Sequence, residues 1–336
     1  MFHKIMYFYE INSSYMNLNF LFNSGKNPKW KYYFINIVLN FLPKFIFRSQ
    51  YPKLIVNFNR RPDKDYILER VNYYNKLNKN TSLPSNAKQL KDNKIEKAGS
   101  VYYYDTEFIT RYFNPSLKFF SCYGDITHIP NEPSILKSRP ILGNNQNSIL
   151  LNLDKVRHFI FLKDGKTFDK KINKIIFRGK IIGKQQRIDF MNKFFGNPLF
   201  DLGDVSKSVT KKEWKVPKKT LWEHLDYKFI MALEGNDVAS NLKWVMSSNS
   251  IAVMPKPTYE TWFMEGKLIP DFHYIEVNAD FSNLEEKINY YIENPSEAIQ
   301  IIKNANTYCK QFYDSKREKL IGLLVMKKYF EKTNQI

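Results

Sequence analysis

Two clusters of cations and small polar residues, each following an apolar run, carry the clearest chemical possibilities in this chain. Behind Ile175, Ile176 and Phe177 come Arg178, Gly179 and Lys180, and Lys184 and Arg187 open the next segment. Four cations beside a helix N-terminus would cradle a phosphate or pyrophosphate, with glycine letting the backbone come close. The same residues would also suit a solvated basic turn. The run 227–233 leads into Glu234, Gly235, Asn236 and Asp237, then Val238, Ala239, Ser240, Asn241 and, a turn on, Lys243. Small and polar residues there could lie against a nucleotide's phosphates, or Asn236 or Asp237 could simply cap a helix. Beyond the run 250–254, Glu260 could accept hydrogen bonds from ribose hydroxyls or stand on the surface. His273 opens a strand-like run, where a lone histidine is more often structural than catalytic.

Metal chemistry finds little support. Asp63 and Asp65 have the D-x-D spacing that can chelate a divalent cation between phosphates, but Asp65 opens a helix after Pro62, so N-terminal capping accounts for both. His3, His128, His158, His224 and His273 are scattered without paired spacing. Cys122 and Cys309 cannot make a zinc site alone or a disulfide framework, which fits a reducing compartment. No protein-bound metal is expected.

The elements that must position these residues follow from periodicity. Residues 158–162, 175–177, 199–202, 227–233, 250–254 and 273–277 read as strands, separated by helical stretches at 186–195, 238–246 and 284–292. Strands alternating with helices of about ten residues indicate βαβ units and a parallel sheet, with ligands at the carboxyl ends of its strands. Asn294, Pro295 and Glu297 start a helix to about residue 312 as N-cap, N1 proline and capping-box acid, and a last helix covers 315–330. The first half is less regular: 53–58, 101–104 and 117–121 read as strands, 65–77 as a helix, 78–97 as a polar surface segment, and 124–140 as an irregular stretch suited to a binding loop. Residues 32–47 form an apolar helix with a single polar stripe of Asn36, Asn40 and Lys44, flanked by Lys29, Lys31 and Arg48. It could lie on an anionic leaflet with its lysines at headgroup level, or be buried in a core, and broad apolar faces favour burial.

A length of 336 residues suggests two domains, and 43% hydrophobic with 16% aromatic content is not a disordered composition. Only 12 glycines are present and neither Gly-rich nucleotide fingerprint occurs, so a P-loop and a G-x-G-x-x-G site are excluded. Lys and Arg number 52 against 33 Asp and Glu, a net +19. Such charge suits nucleic acid, an anionic membrane or phosphorylated ligands. Glu10, Asn12, Ser13 and Ser14 interrupt any signal-peptide core, and no run is long enough to span a bilayer.

Taken in order, IIFRGKIIGKQQRIDF (175–190), YKFIMALEGNDVASNLKWVMSSNSIAVMP (227–255) and LIPDFHYIEVNADFSNLEEKI (268–288) resemble glycosyltransferase family 90. EGNDVASNLKW, KPTYETWFMEGKLIP and PSILKSRPI are similar to its bacterial lipopolysaccharide branch, and the resemblance covers about residues 100–310. It implies a GT-B-like α/β fold: two Rossmann-like domains facing across a cleft, an acceptor-side domain over 1–150, a nucleotide-sugar domain over 151–312 and a C-terminal helix over 313–336. It also implies inverting, metal-independent transfer of a hexose from a nucleotide sugar, as a UDP-hexose co-substrate rather than a cofactor. The acceptor would be a lipid-anchored lipopolysaccharide core on the cytoplasmic face of a bacterial inner membrane, with the enzyme peripheral on that anionic surface and no nucleic-acid partner.

On the family's pattern Arg187 contacts the donor phosphates, and Asn236 to Asn241 hold the nucleotide. Asn241 stands where the eukaryotic branch often has arginine, a charge that Lys243 or Arg178 could supply. Ser138 and Arg139 match the sugar-side loop. The family's catalytic aspartate in N-x-R-D has no counterpart in residues 109–119, which leaves Asp105 and Asp125, with Asp125 favoured because it begins the irregular loop. Two rivals remain: a basic nucleic-acid-binding protein, though no RRM, KH, helix-turn-helix or zinc signature occurs, and a catalytically inactive membrane-associated scaffold.

Overall fold

Helical spacing of large side chains organises the N-terminal part. The computed structural model describes residues 24–96 and 99–336, so His3 and the 10–14 interruption lie outside the described residues. The apolar run expected as one helix is two, α1 (Lys29–Phe41) and α2 (Lys44–Asn59), parted at Pro43, whose missing N–H suits a helix start. Residues 53–58, expected as a strand, are the end of α2. Phe47, Tyr51, Leu54, Ile55 and Phe58 recur every three to four positions and pack on the core, a helical period that a six-residue window hides. The segment 101–104 is likewise helical within α4 (Ser100–Thr110), which buries Tyr102, Asp105, Thr106 and Ile109. α3 (Lys64–Tyr74) keeps its expected place, but Asp63 caps nothing with its side chain and instead pairs with Arg61.

The strands β1 (Lys88–Gln89), β2 (Lys118–Cys122), β3 (Ser134–Leu136) and, past β4 (Ser138–Pro140), β5 (Ser148–Leu150) form a four-stranded sheet in the order β1-β2-β3-β5. β2, β3 and β5 are mutually parallel and β1 is antiparallel at one edge. After the single turn α5 (Lys155–His158) the strand expected at 158–162 does not form, His158 ending the turn and 159–162 being irregular, and from β6 on the second half is more regular. β6 (Ile172–Gly179), α6 (Gln185–Phe194), β7 (Phe200–Asp204), α7 (Leu221–His224), β8 (Tyr227–Met231), α8 (Leu242–Met246), β9 (Ile251–Pro255), β10 (Tyr259–Thr261), β11 (Ile275–Val277) and α9 (Leu284–Glu293) follow in turn.

Five of these strands make an all-parallel sheet in the order β11-β9-β8-β6-β7. Its pleat sends alternate residues to two cores: Ile175, Phe229, Met231 and Val253 to one, Ile176, Ile230, Ala252 and Met254 to the other. A parallel sheet covered on both faces needs such continuous apolar runs. The helices α10 (Pro295–Lys310) and α11 (Ser315–Lys332) close the chain. Asn294 makes no side-chain cap to α10; Glu297 instead accepts from Tyr290, so the expected capping box does not form. α11 returns to the first half, where Glu318 takes both Arg70 (2.5 and 2.9 Å) and the Trp262 indole (2.6 Å). β4 and β10, from different halves, pair as a separate antiparallel ribbon. Among the described residues no helix is long and apolar enough to cross a membrane.

Candidate active site

The order of the parallel sheet fixes where a ligand would sit. In chain order β6 is flanked by β7 on one side and β8 on the other, so the winding reverses between β6 and β8, and the crevice at their carboxyl ends is the switch point. A cleft of about 510 Å³ opens there. Arg178, Gly179, Lys180 and Arg187 line it from β6 and α6, and Lys218 and Lys219 from the segment before α7. Lys26, Lys29 and Arg157 face them from the first half, and among the described residues no carboxylate is on the lining. Lys26 is pushed below the usual lysine range by burial and by the charges of Lys218 and Lys29. Cations crowded in this way raise the local potential for anions, although Arg178 and Arg157 are paired with Asp201 and Asp154.

Arg187 is the anchor of this wall. Its guanidinium donates to the carbonyls of Leu233 (2.8 Å), Glu234 (3.0 Å) and Lys180 (2.9 Å), tying the turn after β6 to the segment after β8. Burial lowers it to about 10, still protonated at neutral pH. A Cβ on Gly235 would lie 3.3 Å from its Nη2, so glycine lets the two segments close together. Arg178 lines the cleft but is bound by Asp201, both to the carboxylate and, at 2.7 Å, to the carbonyl. Gly179 serves the core rather than a ligand, since a Cβ there would strike the Phe177 ring at 2.6 Å. Ser240 and Asn241 line the cleft, Asn241 donating to the Met231 carbonyl at 2.9 Å. Lys184 meets Asn236.

On the other side of residues 232–242 lies a cavity of about 310 Å³ lined by Val238, Ala239, Glu234, Thr258 and Glu276. Glu234 accepts from Thr258 N at 2.9 Å, and Glu276 from Tyr274 OH at 2.5 Å.

A third cavity, about 340 Å³, shares Lys29, Val156 and Arg157 with the cationic cleft and is lined by Asp125 and Asp154. Asp125 accepts from the buried Lys137 and, at 2.8 Å, from Asn236. Burial pushes its carboxyl up, but Lys137, Asn236 and Arg157 outweigh that and hold it below the usual aspartate range. Lys137 also pairs with Asp237 at 2.7 Å, and Asp237 takes Ser138 Oγ at 2.7 Å. Asp237 and Asn236 are therefore not helix caps: they join the loop after β8 to the first half. Asp105, by contrast, is buried away from the cavity, its oxygens taken by Tyr32 OH (2.8 Å) and Lys155 N (3.1 Å).

Other sequence candidates also lie off the cavities that hold Arg187 and Asp125. Arg139 is fully buried, its guanidinium bound to Glu260 (2.8 Å) and to the carbonyls of Ser148 (2.8 Å) and Tyr73 (2.7 Å). Glu260 is the other half of that pair, neither on the surface nor on a ligand wall. Lys243 is buried against Glu265 at 2.5 Å and supplies no charge to the cleft. His273 is structural, its ring accepting from Ile269 N. Sequence reasoning missed Lys137, Asp154 and Arg157, and the Lys218–Lys219 doublet. The doublet was visible as charge, whereas the other three act through contacts distant in sequence. Among the described residues no group of three His, Cys, Asp or Glu converges on a point that could hold a metal.

Fold and site together are those of an α/β enzyme with an anion-receiving cleft. The enzyme is a glycosyltransferase: the sequence pattern of glycosyl transferase family 90 matches residues 153–329, and the chain belongs to that family. It is 40% identical over 304 residues to the O-glucosyltransferase LpsA of Dichelobacter nodosus, covering 90% of this chain and 95% of that protein. The protein O-glucosyltransferases 3 of Homo sapiens and Rattus norvegicus are each 26% identical over 174 residues, half of this chain and 34% of theirs.

Proposed function

We propose that this glycosyltransferase transfers a hexose, with inversion and without a metal, from a UDP-sugar to a hydroxyl of a lipopolysaccharide core. The observation that carries the reading is the cationic cleft at the switch point, whose described lining residues include no carboxylate, joined to a cavity that presents Asp125. Likeness to an O-glucosyltransferase supports glucose as the sugar, and a largely parallel sheet in each half supports a two-domain GT-B arrangement as the frame. The diphosphate lies against Arg187, Lys180 and the Lys218–Lys219 pair, and the nucleoside in the cavity past residue 232. There Glu276, rather than Glu260, is the carboxylate placed to accept ribose hydroxyl bonds.

Asp125 takes the acceptor's hydroxyl proton as its oxygen attacks the anomeric carbon. The bond from that carbon to the phosphate oxygen breaks, and the diphosphate leaves with the electron pair toward Arg187. Lys137 and Asn236 keep Asp125 ionised and aimed. In a transfer assay with UDP-glucose, UDP-galactose and UDP-GlcNAc, Arg187→Ala is expected to raise the donor KM at least about tenfold. Asp125→Asn should lower kcat by about 10²–10⁴ with donor KM little changed, and EDTA should leave the rate unaltered. Full activity in the Asp125 variant would remove the base from this scheme.

A further inference from the structure

Helix α1 is amphipathic in the inverse sense to a core helix, and the first turn of α2 continues its exposed apolar face before the rest of α2 packs on the core. Asn36 is the one residue of α1 that is buried, and the polar stripe faces the protein: Asn40 meets Tyr103 (3.3 Å) and Arg111 (3.3 Å), and Lys44 pairs with Glu107 at 2.7 Å. The aromatic and aliphatic face points away from the body. Trp30, Phe34, Phe41 and Phe45 are 74%, 63%, 84% and 62% exposed, with Ile37 and Val38 between them. Spacings of three to four residues put them on one side, an apolar patch of a kind that marks an interaction surface on a soluble protein. The burial favoured by the width of this apolar face in the sequence does not occur.

Charge decides what covers it. Between residues 24 and 62 the chain has no Asp or Glu, while Lys29, Lys31, Arg48 and Lys53 border the apolar side chains. A second copy of this chain would bring one basic rim against another. An anionic lipid surface satisfies both features, with the aromatic residues at acyl-chain depth and the lysines among headgroups. We propose that the α1–α2 face docks this protein on an anionic bilayer. Lys29 also lines the cationic cleft and the Asp125 cavity, so the docked face lies beside the entrance through which an acceptor reaches Asp125. That last link rests on the proposed function, whereas docking itself does not.

The test is flotation of the full-length protein with phosphatidylglycerol-containing or pure phosphatidylcholine vesicles, at low and high salt, alongside sizing in solution. The wild type is expected to float with the anionic vesicles only, less so at high salt. Phe34→Asp combined with Phe41→Asp should weaken that binding at least about tenfold, with the circular dichroism and UDP-sugar hydrolysis unchanged. Arg187→Ala should float as the wild type does, which separates failure of docking from failure of the transfer reading. Equal flotation of the double variant would overturn the proposal, as would no flotation of the wild type. A wild-type dimer that the double variant abolishes would overturn it in favour of a second copy.

Discussion

Asp154 occupies a left-handed backbone conformation, φ 55°, that a side-chain-bearing residue adopts at a cost, and it does so beside the proposed base. Burial raises its carboxyl to about 6, with Arg157 and Lys137 opposing and the nearby Asp105 and Asp125 adding to the rise. Its folded-state pKa is thus above the 3.8 of a free aspartate, so the native state binds this proton more tightly than the unfolded chain does. The stability from that proton is complete below about pH 4 and is lost as pH rises to about 6. Asparagine accepts the left-handed conformation and does not titrate. Asp154→Asn is therefore expected to gain on the wild type by about 2–3 kcal/mol between pH 4 and pH 7, read from urea unfolding at each pH. Parallel stability profiles for the two proteins would show that this carboxyl is not perturbed.

The β4–β10 ribbon shows how elements from distant parts of the sequence build the site's support. Arg139 and Glu260 face each other in register across it, both buried, and Arg139 also donates to the carbonyls of Ser148, at the start of β5, and of Tyr73, near the end of α3. Removing one partner of such a pair strands the other charge. Arg139→Met is expected to destabilise by about 3–5 kcal/mol in denaturant, and adding Glu260→Gln to recover much of it, while the folded single variant keeps its donor KM. A raised donor KM with little loss of stability would return Arg139 to the sugar side.

Neither partner of this pair was readable in the sequence. Likeness to the family's loop assigns Ser138 and Arg139 to the sugar side, and the pairing of Arg139 with Glu260 exists only once both halves fold. The second half's sheet was legible for the converse reason: strands buried on both faces must be continuous apolar runs, and such runs are self-evident. That Arg187 and the Asn236–Asp237 segment would lie past the carboxyl ends of β6 and β8 was legible because the segments after those strands carry them; their roles belong to the proposed function. α2 and α4 were misread because a short window of their sequences carries no period.

At the scale of the whole molecule, part of the basic excess is gathered at a cleft and beside an apolar face, and the cores run together across the halves. One cluster contains Ile67 and Val71 of α3, Ile135 and Leu150 of the first sheet, Ile176 and Ile230 from one face of the second, and Ile321 and Val325 of α11. The interface between the halves is thus part of a core, reinforced by Lys137 with Asp237 and Arg70 with Glu318. Units that share a core should not melt separately, so calorimetry is expected to show one transition, with calorimetric and van't Hoff enthalpies in agreement. UDP at about a hundred times its Kd adds about 2.7 kcal/mol if the native cleft binds it and the unfolded chain does not. The single transition should then move up by several degrees as a unit, and Arg187→Ala should abolish the rise without splitting the peak. Two resolved peaks, with only one shifted by UDP, would mean that the halves are independent and that the cleft belongs to one of them alone.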